Sequence, residues 1–384
     1  MLQICNFINK KKRMKKSLLT LTALLSISIS TMAIEPNPIS TVVPSLSIAP
    51  DARAGGMGDI GAATSPDVSS QYWNPAKYVF MESEAGVSIS YTPWLRKLVE
   101  DIDLAYLVGY YKFNDRQSLS ASMRYFSLGD IELMDQLGQP QGASHPLEMA
   151  VDLAYSQMLS ENFSASAALR FIYSDLNSGK NLAGGSEMYP GKSVAADVAA
   201  YYRKPISMST GDGILGLGLN ISNLGAKVSY DQNVTNNFIP TNLRLGGSFE
   251  YPIDNFQSIS FSADINKLLV PTPDATTDFN KVSMLSGVFM SFTDAPAEEE
   301  LREIMWSAGV EYAYNKQFFV RAGYFNENEY KGNRKYFTAG AGFKLNVFQL
   351  DAGYVISTSQ SNPLDQTLRF SLSFDVFGLK NLVK

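Results

Sequence analysis

The chain has 384 residues, 45% of them hydrophobic, 12% aromatic and 18% charged, with 28 glycines and single Cys and His residues. A mean hydropathy of −0.08 excludes a bundle of membrane-spanning helices, each of which needs about 20 consecutive apolar residues, and the aromatic content excludes a disordered chain. A formal net charge of −5 points away from nucleic acid, and the lone Cys5 and His145 exclude a disulfide scaffold, a Cys-rich metal site and a zinc cluster.

Taken in chain order, the first segment is an address. Lys10, Lys11, Lys12, Arg13, Lys15 and Lys16 form a basic head, 18–29 an apolar stretch, and Thr31-Met32-Ala33 a small-residue cleavage site. Together they read as a secretory signal peptide over 1–33. Met14-Lys15-Lys16 already supplies a complete signal, so Met1 and Met14 both stand as the start. Cys5 precedes the apolar stretch and is therefore not a lipoprotein cysteine. A membrane anchor is the competing reading, and the short apolar run counts against it.

Residues 34–84 follow without alternation. Asp51-Ala52-Arg53-Ala54-Gly55-Gly56-Met57-Gly58 is rich in small residues, and the segment closes on Tyr72-Trp73-Asn74-Pro75-Ala76. Such glycines allow tight turning and close backbone approach. They are not a phosphate loop, because no strand precedes them and no Gly-Lys-Ser/Thr ends the run. A compact plug folded into a barrel mouth is the expectation.

From 85 to 384 the period is 2. Near the C-terminus, Leu368, Phe370, Leu372, Phe374 and Val376 share one face, and Thr367, Arg369, Ser371, Ser373 and Asp375 share the other, as successive strand side chains must. About fourteen such segments run over 86–92, 102–113, 118–129, 147–159, 163–174, 193–203, 213–222, 241–251, 257–267, 303–314, 317–326, 334–345, 347–357 and 366–377. Most approach the ~9–11 residues of a tilted transmembrane strand. Short links at 114–117, 160–162, 252–256, 315–316 and 346 contrast with long ones at 130–146, 175–192, 223–240 and 268–302. The prediction is an all-β fold: a transmembrane antiparallel barrel of about 14 strands with short periplasmic turns and long extracellular loops. A soluble sandwich or propeller is the competitor, but its strands usually run five or six residues. Tyr91, Trp94, Tyr110, Tyr111, Tyr201, Tyr202, Tyr312, Tyr314 and Tyr324, all near strand ends, read as interfacial girdles.

Four stretches carry a family resemblance. Arg53–Ala76, through Arg53, Gly56, Met57, Gly58, Asn74, Pro75 and Ala76, resembles the N-terminal hatch of FadL-type outer-membrane proteins. That superfamily is built as a fourteen-stranded barrel with an N-terminal plug. Phe318–Phe325, Lys331–Gly342 and Pro363–Leu372 resemble the PorV (LptO) family of the type IX secretion system, and the likeness covers about the whole mature chain. The resemblance implies an outer-membrane carrier in a Gram-negative bacterium. PorV-like proteins bind the C-terminal signal domains of secreted cargo emerging from the translocon Sov. They deliver them to the attachment complex of PorU, PorZ and PorQ, where cargo is joined to lipopolysaccharide. The long loops would form the gripping mouth. Inward-facing Arg124, Arg170, Arg244, Asp264, Glu311, Arg321, Asp351, Arg369 and Asp375 are candidate lumen residues. For any one of them, mutual pairing across the lumen is favoured over receiving a polar chain end.

The LptO name refers to a proposed lipid A deacylase activity, which the residues do not favour. His145 sits on loop 130–146 beside Ser144 and Pro146, and no Gly-x-Ser-x-Gly surrounds that serine. No metal-ligand spacing or EF-hand pattern is present, and no cofactor is implied. Glu298–Glu303 reads as a short solvated helix entering a strand. The alternative function is a FadL-like transporter of hydrophobic small molecules, with an apolar lumen pocket and a movable hatch. A general porin stands third.

Overall fold

The computed structural model of the protein describes residues 36–96, 99, 101–134, 137–178, 188–232, 234–274, 276–358 and 364–376; the signal peptide expected over 1–33 lies outside them. Sixteen strands form: β1 (Ala85–Pro93), β2 (Ile102–Asn114), β3 (Gln117–Leu128), β4 (Ile131–Met134), β5 (Pro140–Ser144), β6 (Leu147–Ser160), β7 (Phe163–Asp175) and β8 (Gly191–Met208), then β9 (Gly211–Gly225), β10 (Asn242–Pro252), β11 (Gln257–Leu268), β12 (Met305–Tyr314), β13 (Phe318–Asn326), β14 (Lys335–Leu345), β15 (Phe348–Ser357) and β16 (Leu368–Asp375). All but β4 and β5 close into one antiparallel barrel in which each strand pairs with the next in sequence, β3 passing directly to β6. The ring is sealed by β1 on β16, in register from Gly86↔Asp375 to Tyr91↔Phe370. Closure pairs the backbone groups of every strand within the sheet, which hydrocarbon demands of a β structure.

The alternation of the sequence becomes the two faces of this wall. Ile89, Leu107, Leu153, Leu169, Phe261, Val320 and Phe337 stand exposed on the outside, while Ser88, Ser120, Arg170, Asp264, Arg321 and Arg369 are buried within. The girdle reading needs correction at three positions, one of them Trp94, which packs inward against Ile48, Leu104 and Phe126. Tyr110 and Tyr201 are buried inward, Tyr110 stacked on Tyr78 at 4.9 Å and Tyr201 edge-on to Phe80 at 5.6 Å. Neighbouring residues on a strand face opposite sides, so Tyr111 faces out when Tyr110 faces in.

Three other features depart from the sequence boundaries. Strands β8 and β9 extend well beyond 193–203 and 213–222. They are offset by a bulge at which Ser222 and Asn223 oppose Asp197, and Asn223 takes a φ of 61°. Loop 130–146 carries the β4–β5 hairpin. Loop 268–302 carries two helices, Met284–Met290 and Ala297–Arg302, the second being the expected acidic one.

Residues 37–84 cross the lumen from end to end. Asn37 N–H donates to the Tyr330 carbonyl, in the link between β13 and β14. Val43 and Leu46 pack on Ala150, Ile172, Ala195, Val228 and Ile239 towards the long-loop end. Helical turns follow at Ala52–Gly55 and Ser70–Trp73, and Pro75–Phe80 forms a 3-10 turn beside Tyr201. The Glu84 carbonyl accepts from Lys112 N–H at the short-turn end, where β1 begins.

Candidate functional site

An irregular backbone buried inside a barrel must find every hydrogen-bond partner on the wall or within itself. Small polar side chains of the inner face supply them. Ser371 Oγ accepts from Ala52 N–H at 2.9 Å, Thr338 Oγ1 from Gly58 N–H at 2.7 Å, and Asp264 Oδ2 from Gly61 and Ala62 N–H at 2.9 and 3.0 Å. Ser248, Ser156 and Ser164 donate to the carbonyls of Ala63, Pro75 and Ala76. Asn74 donates through Nδ2 to both Ala62 and Ala200 carbonyls at 2.9 Å, while its Oδ1 accepts from Ala76 N–H. That double duty, with Pro75 opening the 3-10 turn, explains the Asn74-Pro75-Ala76 sequence.

The wall also supplies space. Inward positions on β9, β10, β12, β13, β14 and β15 are glycine wherever the segment comes closest: Gly218 and Gly246 against Ala62, Gly309 and Gly323 against Met57, Gly340 against Gly56, and Gly353 against Ala52. A Cβ at Gly218 would lie 1.9 Å from the Ala62 carbonyl oxygen. Sequence reasoning picked out the glycines of the segment and missed those of the wall. Their signal was present, as glycines on the polar face of otherwise well-formed strands.

Charge binds the segment to the wall. Asp51 Oδ2 caps the Ala52–Gly55 turn and its Oδ1 accepts from Trp73 Nε1 at 2.5 Å. Arg53 bridges Asp67 at 2.7 Å and Glu311 at 2.9 Å; Glu311 also holds Arg321 at 2.6 Å, and Arg321 reaches Asp351 at 2.6 Å. Arg369 pairs with Asp59 at 2.5 Å. On the opposite wall Arg170 is held by Asp152 and Asp197. Removing one member of a buried pair costs about 3–5 kcal/mol because it strands the other charge. Glu311→Ala, which takes one of two carboxylate partners from each of Arg53 and Arg321, is therefore expected to lower the thermal midpoint of the purified barrel, read by heat-modifiable gel migration. An unchanged midpoint would show these pairs to be dispensable.

Two lumen arginines have no carboxylate partner among the described residues. Arg124 donates to the carbonyls of Ser45 and Ile48 and lies 4.7 Å from the Tyr72 ring. Arg244 donates from Nε to Asn266 Oδ1 at 2.8 Å and lies over Trp73 at 4.6 Å. Asp375 lines the wider cavity of about 330 Å³ on the short-turn side, with Arg53, Glu311, Arg321 and Asp351.

The mouth is built by the long links, of which 269–304 is the largest. Its return is pinned by Glu303, buried between Lys267 Nζ at 2.5 Å and Lys331 Nζ at 3.0 Å and accepting from Thr272 Oγ1 at 2.5 Å. Glu299 adds a 2.6 Å pair to Lys331. So anchored, the loop holds out the Met284–Met290 helix with Leu285 61% and Phe289 74% exposed, and Phe292 and Leu301 of the same loop are exposed as well. Gly287, on the inner side of this helix, packs against Phe238.

The loop also carries a titratable carboxyl at Asp294, which accepts from the Thr272 amide. Partial burial, then the hydrogen bond and charge of Glu300 and the charge of Glu303, push the Asp294 carboxyl up to about 6, against the Thr272 amide that holds it down. A raised folded-state value stabilises the loop fully below the unfolded aspartate range near 3.9, and that contribution is lost as pH rises through about 6. Asp294→Asn should flatten the pH dependence of amide-exchange protection across 269–304 in this window. A variant retaining the wild-type profile would contradict the assignment.

His145 is exposed, its Nδ1 2.5 Å from Asp130 Oδ1, while Ser144 Oγ faces Ser178. The serine and the imidazole are adjacent in sequence and point to different partners.

A family model for the type IX secretion system protein PorV matches residues 31–275. Among solved structures, the Pseudomonas putida toluene transporter TodX is similar, with a TM-score of 0.50 and 11% identity over 85% of this chain and 95% of that one. A second Pseudomonas putida TodX structure gives 0.51 and 10%, over 84% and 96%. A Pseudomonas aeruginosa FadL homologue gives 0.45 and 11%, over 88% and 99%. At these identities the TodX likeness speaks for the fold alone. No curated protein sequence matches the chain. A closed, lipid-facing barrel, matched over more than half its length by that family model, places the chain in the outer membrane as a member of the PorV family of type IX secretion system proteins.

Proposed function

We propose that the protein binds the C-terminal signal domains of secreted cargo at its long-loop mouth and carries them from the translocon Sov to the attachment complex of PorU, PorZ and PorQ. It acts by binding and performs no chemistry. The observation that carries this reading, beyond family membership, is the mouth. A loop locked at its base by Glu303, Lys267 and Lys331 presents an apolar helix to solvent, as a surface that must seize many passengers by one common domain requires. Residues 37–84 act as a plug, so a folded passenger has no path through the lumen, and its handling falls to the outer end.

A transporter of hydrophobic small molecules needs an apolar chamber. The cavity facing the long loops measures about 70 Å³ and is lined by Arg244, Asn242, Asn266 and Asp59 among its aromatics. That is about half the ~150 Å³ that admits benzene. The deciding experiment is a deletion strain. Cargo retaining uncleaved C-terminal signals in the periplasm supports the carrier, whereas normal secretion with impaired uptake of hydrophobic compounds supports the transporter. Co-purification with Sov is expected from the same strain complemented with tagged protein.

A further inference from the structure

Seven links join the barrel strands at the long-loop end, and two of them are unlike the rest. Residues 129–146 hold three acids and no lysine or arginine, and residues 269–304 hold seven acids against two bases. The links 94–101, 176–190, 226–241 and 327–334 each balance acid with base, and 358–367 carries Asp365 alone. Both acidic links also hold out large apolar side chains. Ile131, Met134 and Leu137 are exposed on the first, and Leu285, Phe289, Phe292 and Leu301 on the second.

Each apolar element is fixed from below. The β4–β5 hairpin prolongs β3 and β6 through the Leu128 N–H to Pro146 carbonyl bond and the Ile131↔Ser144 pair. Its base is tied to the flanking links, Asp130 N–H donating to Asp101 Oδ2 at 2.6 Å and His145 N–H to Ser178 Oγ at 2.7 Å. The Met284–Met290 helix is capped by Ser283 and rests Gly287 on Phe238 and Pro271. Leu285 and Phe289, four residues apart, share the face turned away from Gly287.

The ring sets the two elements opposite each other. Strands β6 to β11 lie between them one way round, and eight strands the other. A fourteen-stranded barrel with strands ~4.8 Å apart and tilted ~40° is roughly 28 Å across. A folded domain of about 100 residues, with a radius of gyration of about 13 Å, has a comparable width. Ion pairing leaves the rim acidic. Lys267 and Lys331 are spent on Glu299, Glu300 and Glu303, Lys281 on Asp278 and Arg302 on Glu298. Glu132 and Asp274 have no cationic partner among the described residues. Such a rim repels acidic surfaces and steers basic ones inward.

We propose that the β4–β5 hairpin and the Met284–Met290 helix are opposed jaws of one clamp, and that its occupant is a folded domain whose apolar patches are ringed by lysine and arginine. That this domain is the cargo signal domain rests on the carrier reading above; the clamp adds a second contact surface and the charge of the partner.

The test uses the full-length protein in detergent and, as probe, the isolated C-terminal signal domain of one type IX cargo. Ile131→Ser with Leu137→Ser on the hairpin, and Leu285→Ser with Phe289→Ser on the helix, should each weaken binding about thirtyfold or more, the loss of one hot spot. Both jaws lie outside the barrel ladder, so heat-modifiable migration should stay unchanged and a folding defect cannot mimic the result. Glu132→Lys with Asp274→Lys should weaken binding about tenfold at low salt and less at high salt, where the charges are screened. Glu161→Lys, at a short turn, is the control and should change nothing. Binding weakened by the helix variant alone overturns the clamp and leaves the carrier reading standing. Binding indifferent to the paired lysines overturns the basic occupant. Loss of Sov co-purification from the jaw variants, with the probe still bound at wild-type strength, moves the surface to the translocon and overturns the occupant. A probe that the wild type does not bind also overturns the occupant, and the deletion strain then decides separately whether the carrier reading falls with it.

Discussion

Gly323→Val is expected to open the lumen. A Cβ at this position lies 2.1 Å from the Met57 carbonyl carbon, 2.3 Å from its oxygen and 2.4 Å from Gly58 N. All three are backbone atoms, so no side-chain rotation relieves the clash. Val suits a strand and Gly323 pairs in register with Gly309 and Thr338, so the wall should stay intact while residues 56–58 are expelled. Overpacking of this kind costs about 1–3 kcal/mol even where neighbours can give, and the displaced turn also loses the Gly58–Thr338 bond. The expected readouts are single-channel conductance in planar bilayers where the wild type has little, and sensitivity of cells to large antibiotics. Gly247→Val is the control, because its Cβ points outward to within 3.9 Å of Leu217 only. If Gly323→Val stays as tight as that control, the lumen is not sealed by this segment.

Replacing most of 268–302 by a short Gly/Ser link should leave assembly untouched and abolish cargo capture. The ladder on either side, from Gln257↔Tyr314 to Asn266↔Met305, does not involve the loop, and links lie outside the strand pairing that stabilises a barrel. What disappears is the surface of Leu285, Phe289, Phe292 and Leu301. Clustered apolar anchors carry most of the free energy of an interface, each hot spot about 2 kcal/mol or more, so losing them together should reduce capture of signal-bearing cargo below detection. Capture at the wild-type level by a correctly migrating variant would move the binding surface to another link.

The strands were readable because lipid outside and polar groups inside impose opposite demands on alternate residues. Segment 118–129 became Gln117–Leu128 and 257–267 became Gln257–Leu268 for that reason. The pattern fails where the membrane stops imposing it. The end of β8, Lys204-Pro205-Ile206-Ser207-Met208, carries no alternation to betray it, and β4 (Ile131-Glu132-Leu133-Met134) is too short to show a period. Facing direction is a separate problem: Tyr110-Tyr111 and Tyr201-Tyr202 announce aromatics at a strand end, but only the register decides which of each pair meets lipid.

In the lumen, charge was legible and partnership was not. Arg321 is opposite Glu311 on the neighbouring strand, yet it also reaches Asp351 two strands away, across Gly342, where a Cβ would meet both groups. Such neighbours exist only after the sheet has curled. Among the candidates Arg321 pairs with Glu311 and Asp351, whereas Arg170 meets Asp152 and Asp197 on the neighbouring strands, Arg369 meets Asp59 of the inner segment, Arg124 meets carbonyls and Arg244 lies over aromatic rings.

The path of residues 37–84 dictates how such a molecule comes into being. Its upstream end is tied to the Tyr330 carbonyl on one rim and its downstream end to Lys112 on the other, so the filled interior is as long as the cylinder itself. Threading an irregular segment through a finished tube would break the hydrogen bonds and ion pairs that line it and remake them one by one. A sheet that wraps around its own N-terminal segment avoids that breakage, and the seam between Gly86–Tyr91 and Phe370–Asp375 joins the strand that follows this segment to the last one of the barrel.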